Sequence, residues 1–108
     1  MIAPPLRQTL ACGELARHRH ADGYLAVVLS GGYEEAGEAG RRWVGAGDVI
    51  AHHAFEAHLN RVPGPGAVVL NLPLLRPLGC GFGRTSDPDG VARTAERDPP
   101  AAVALLEA

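Results

Sequence analysis

Two short apolar runs constrain this chain most: YLAVVLS at residues 24–30 and AVVLNL at 67–72. Both are aliphatic and rich in β-branched residues. The first is expected to stop at Gly31-Gly32, and the second is preceded by PGPG at 63–66, a loop that cannot continue a ladder. Such runs between turn formers read as buried strands. RQTLAC (7–12) and ELARH (14–18) read as early strands broken at Gly13. YEEAGEAGRRWV (33–44) reads as a hairpin whose turn lies at Glu38-Ala39-Gly40. GAGD (45–48) is a second tight turn, followed by VIA and by the alternating HLNRV of 58–62.

After Pro73 the pattern changes. LLRPLGCGFGRTS (74–86) has no steady period and reads as irregular chain. Asp87 before Pro88, with Val91, Ala92 and Ala95 on one side, starts a helix, and Asp98-Pro99-Pro100 starts a second. That helix ends mid-pattern at Ala108 without a stop signal, as expected of a protein that once continued. The 108 residues suffice for one modest core, hence one domain. Within it, residues 1–76 form the β part and 77–108 an irregular segment with a helical tail. Hairpin-linked strands of this length must close into a sandwich or barrel to protect their edges, so the fold class is mainly β.

Composition excludes several classes of function. A net charge of −2 gives no electrostatic footprint for nucleic acid or an anionic membrane. No apolar run approaches the roughly 20 residues of a bilayer span. Two cysteines, Cys12 and Cys80, make no disulfide framework. With no secretory signal, reduced thiols and a cytoplasmic location are expected. Both cysteines read as small hydrophobes, since no histidine pairing marks either as a nucleophile.

All five histidines lie between residues 18 and 58. In a strand, His18 and His20 share one face while Arg19 points away. If alternation resumes, His58 and Asn60 share a face. His52 and His53 point opposite ways, so at most one of them joins His58 inside a barrel. Glu34 and Glu35 alternate across a polar hairpin arm. Trp43 reads as a core or interface anchor, Asp48 as a partner for backbone amides of its own turn, and the arginines as solvated.

Gly13, His18-Arg19-His20 and Gly31 together resemble the first motif of the cupin superfamily. Gly45-Ala46-Gly47-Asp48 followed by His58 resembles the second. The resemblance implies a cupin-type double-stranded β-helix, a jelly-roll barrel with short C-terminal helices. It carries over His18, His20 and His58 as ligands of one divalent metal ion; three imidazoles suit Zn, Fe, Ni or Cu. The fourth ligand does not carry over. Tyr24 stands where the family has glutamate, Gly45 replaces a proline, and Val62 stands where asparagine is usual, with Asn60 two residues earlier. Glu34, Glu35 and Glu56 are weaker substitutes for the missing carboxylate. Tyr24, Trp43, Asn60 and His52 are the expected pocket residues.

A narrower resemblance covers nearly the whole chain. HRHADGYLAVVLSGGYEEAGEAGRRWVGAGDVIAHHAFEAHLN and VLNLPL look like the N-terminal sensor domain of AraC-family transcription regulators. GRTSDPDGVARTAERDPPAAVALLEA resembles the helical segment joining that sensor to its DNA-binding part, whose two helix-turn-helix units are absent here. This implies a homodimeric cytoplasmic domain that senses a small molecule or metal. It touches no membrane and reaches DNA only through an attached or partner helix-turn-helix domain. Two other readings stand beside it. One is a small metal-dependent cupin enzyme, a dioxygenase or isomerase using the three histidines. The other is a dimerisation module with inert histidines.

Overall fold

The computed structural model describes residues 6–19, 23–37, 40–52, 57–73 and 81–107. The chain is mainly β with two short C-terminal helices. Its strands are β1 (Arg7–Leu10), β2 (Gly13–Arg19), β3 (Tyr24–Gly37), β4 (Gly40–Gly45), β5 (Asp48–His52), β6 (Ala57–Val62), β7 (Ala67–Pro73) and β8 (Gly81–Arg84). The helices are α1 (Pro88–Arg97) and α2 (Pro99–Glu107). All strand pairings are antiparallel and β3 joins them in two limbs. One limb runs β1-β7-β3-β5-β8; the other runs β2-β6-β3-β4. No described pairing joins β1 to β2 or β4 to β8, so the ladder is not closed.

The first apolar run does not stop at Gly31-Gly32. It continues as β3 to Gly37, because the glycines bend the strand instead of ending it. The register against β7 shifts between Val28 and Ser30, a bulge that adds one residue on β3. Gly31 follows with φ 71°, and a Cβ there would collide with the backbone of Gly66. Beyond this bend β3 leaves β5 and β7 for β4 and β6. The hairpin with β4 is as expected: Gly37 pairs with Gly40. A second correction concerns Gly81–Arg84, expected to be irregular, which forms β8 beside β5. Asp48 holds it there: its carboxylate accepts from the Gly45 amide at 2.8 Å and pairs with Arg84 at 2.6 Å.

The sheet is buried on both faces, which explains the nearly continuous apolar runs. Tyr24, Ala26 and Val28 face inward and share one core with Leu10, Tyr33, Val44, Ile50, Val62, Ala67 and Val69. Leu25 and Val27 face outward and form a second core with Leu70 and Leu72, covered by Val91, Ala92 and Ala95 of α1 and Ala102 and Val103 of α2. Both helices start where the sequence predicts. The Asp87 carboxylate accepts from the Gly90 amide at 2.9 Å and Pro88 opens α1. Asp98 accepts from Ala101 at 3.4 Å at the start of α2, while its own amide donates to the Thr94 carbonyl at 2.8 Å.

Candidate functional site

The bend in β3 brings polar groups into the interior. Beyond the bulge, Tyr33 and Glu35 lie inward while Glu34 stays half-exposed, paired with Arg41 at 2.6 Å. Glu35 is 3% exposed and meets His52, also 3% exposed, across the gap between the two limbs. His52 Nε2 lies 3.1 Å from Glu35 Oε1. A carboxylate in such a place would be strongly disfavoured as an isolated charge, and the nearby imidazole eases its burial.

Tyr24 is the direct strand partner of His52, and their rings stack with centroids 4.8 Å apart and planes 30° from parallel. Asn60 is the strand partner of Glu35 and is itself 5% exposed. Its Oδ1 has no hydrogen-bond partner among the described residues. Leaving such an acceptor unsatisfied costs on the order of 1–3 kcal/mol, so its presence calls for an explanation. Tyr33, two residues before Glu35, completes the cluster. Burial pushes its hydroxyl well above the usual tyrosine range, and the charges of Glu35, Tyr24 and Asp48 add to the effect.

A narrow cleft reaches the pair from outside, lined by Glu35, Gly37, Gly40, Ile50, Ala51, His52 and Phe82. Its volume of about 10 Å³ is the scale of one water molecule. Phe82 of β8 forms its wall, and the Arg42 guanidinium of β4 sits over that ring, 3.9 Å from the centroid. This cation–π contact spans the edge strands of the two limbs.

Of the expected pocket residues, Tyr24, His52 and Asn60 therefore gather around Glu35. Trp43 does not join them: it is 59% exposed on β4, lying across Gly32, and is not a core residue. For the expected metal ligands the backbone alone is informative. His18 of β2 and His58 of β6 are direct cross-strand partners. His20, His53 and Glu56 lie outside the described residues, as does Cys80. Among the described residues no three His, Cys, Asp or Glu side chains gather closely enough to hold a metal ion. Cys12, expected to be a small hydrophobe in or near the core, is exposed.

Glu35 is the residue that sequence reasoning underrated. The signal was its spacing from Tyr33, an apolar ring two positions away on the same strand face. No helix is long and apolar enough to cross a membrane among the described residues. No protein-family model matches the chain, and no curated protein matches it.

Proposed function

We propose that this chain is a cupin-type β-barrel sensor domain of the AraC-regulator kind, in which an internal site adjusts the helical tail. The reading rests on the motif resemblance and on one structural observation, the two-faced burial of β3. Tyr24 stacks on His52 inside, while the next residue, Leu25, packs with Val27 into the cluster that holds α1 and α2. A change in the interior thus has one strand to cross before it reaches the tail. Allosteric response requires that a ligand bind two tail arrangements with different affinity, and such direct contact gives it a physical route.

One divalent ion would be held by His18, His20 and His58. Its support is the direct backbone pairing of His18 with His58 on adjacent strands. Bound there, the ion would offer open coordination positions to a small ligand. Tyr24, where the family carries a carboxylate ligand, favours sensing over metal-based catalysis. The bent strand that joins two antiparallel limbs supports a jelly-roll arrangement.

The test is amide hydrogen exchange on the full chain with and without added Zn²⁺ or Ni²⁺, repeated on the H18A/H20A/H58A variant. Metal is expected to change exchange in α1 and α2 of the native chain by several-fold and to change it by less in the variant, which lacks the three-histidine site. Binding to the native chain without any change in the helices would overturn the sensor reading.

A further inference from the structure

We propose that Glu35, His52 and Asn60 form a site for a single divalent transition-metal ion, distinct from His18, His20 and His58 and not dependent on them. Space is the first argument. The cleft at the pair holds about 10 Å³, enough for one water-sized body and too little for any organic ligand.

Geometry is the second. His52 Nε2 and Glu35 Oε1 stand 3.1 Å apart. Neighbouring ligands on a metal with bonds of about 2.0–2.2 Å stand roughly 2.8–3.1 Å apart in octahedral and roughly 3.3–3.6 Å apart in tetrahedral arrangement. The same two atoms can therefore close on one ion without a change of fold.

Asn60 is buried, shares a strand face with Glu35 through direct pairing, and has an Oδ1 acceptor with no hydrogen-bond partner among the described residues. A cation coordinated by that oxygen accounts for it. The three donors come from three different strands, β5, β3 and β6, which the two limbs hold in fixed relation. An imidazole nitrogen with a carboxylate and an amide oxygen suits Zn²⁺ or Ni²⁺, since imidazole disfavours Mg²⁺ and Ca²⁺. Water would fill the remaining positions. The cleft between the β3–β4 hairpin and β8, walled by Phe82, supplies the entry path.

The experiment is a Zn²⁺ titration of the full chain against a chromophoric chelator, made on the native protein and on the H18A/H20A/H58A variant. The variant is expected to bind one equivalent of Zn²⁺. Adding Glu35→Gln or Asn60→Ala to it is expected to weaken binding at least ten-fold, and the His52 ring nitrogens are expected to shift in ¹⁵N spectra on Zn²⁺ addition. A folded H18A/H20A/H58A variant that binds no Zn²⁺ would overturn the proposal and leave a buried water as the partner of Asn60. So would an affinity indifferent to both substitutions, or unmoved His52 signals. Equal stoichiometry in the native chain and the three-histidine variant would instead count against the His18, His20 and His58 site while sustaining this one.

Discussion

On its outer face β3 sets Leu25 and Val27 into a cluster of aliphatic side chains with Leu70, Leu72, Val91 and Ala102. Beyond its bend the same strand turns Tyr33 and Glu35 inward, against His52 and Asn60. The outer cluster is held by area removed from water, a non-directional force that tolerates rearrangement among residues of similar volume. The inner group is held by specific partners in a poorly solvated space, so each member matters through what its loss leaves behind. The inner face carries an apolar core of its own, and the polar group set into it is where a binding role is to be sought.

The largest expected effect comes from separating the inner pair. His52→Leu would leave the Glu35 carboxyl buried against an aliphatic side chain and should cost about 3–5 kcal/mol. The double variant Glu35→Leu/His52→Leu should cost less than that single change, because no buried charge is left over. Urea denaturation of the three proteins measures both quantities; a double variant weaker than the single one would break the comparison. On the outer face, Leu72→Ala should cost about 2–5 kcal/mol through lost burial and a cavity. A second truncation on that face should add to the loss, where the second change in the pair reduces it.

A smaller effect is tied to pH. The Tyr33 hydroxyl is raised above its ordinary value, so the folded state keeps a proton that the unfolded chain releases near pH 10. Its contribution to stability is complete below about pH 10 and is lost as pH rises toward the folded value, at up to about 1.4 kcal/mol per pH unit. Tyr33→Phe should flatten that alkaline decline. Melting curves from pH 8 to about pH 11 compare the two chains; parallel declines would show that Tyr33 is not responsible.

Much of this architecture can be read from the residues. The Asp-Pro starts of both helices, the PGPG loop, the Gly-Asp turn and the apolar middles of the two strands carry local signals that tertiary structure had no reason to override, although the first strand runs past the glycines expected to end it. Asp48 bonds the amide of its own turn, as its position suggests. Inward and outward faces are harder to read past the bulge. Val28 faces inward, and strict alternation from it would put Glu34 inside and Glu35 outside. The extra residue near Ser30 reverses that order, and a one-residue shift flips every following side chain. No local pattern announces the bulge beyond the two glycines. β8 was hidden for a related reason: GFGR gains strand structure from pairing with β5, not from its own propensity. The pairing of His18 with His58 is likewise a long-range register. Spacing and family motifs suggest that these residues belong together, and the fold makes them neighbours.

The account's central claim is that the inner group and the helical tail are linked through β3. Amide hydrogen exchange of Val91, Ala95 and Ala102 in a Glu35→Gln variant, beside a Glu34→Gln control, tests it directly. These carboxylates are adjacent in sequence and lie on opposite faces of one strand, half-exposed in one case and buried in the other. Glu35→Gln is predicted to alter exchange in the helices several-fold while Glu34→Gln leaves it unchanged. Helices that respond to neither substitution, or equally to both, would contradict the link.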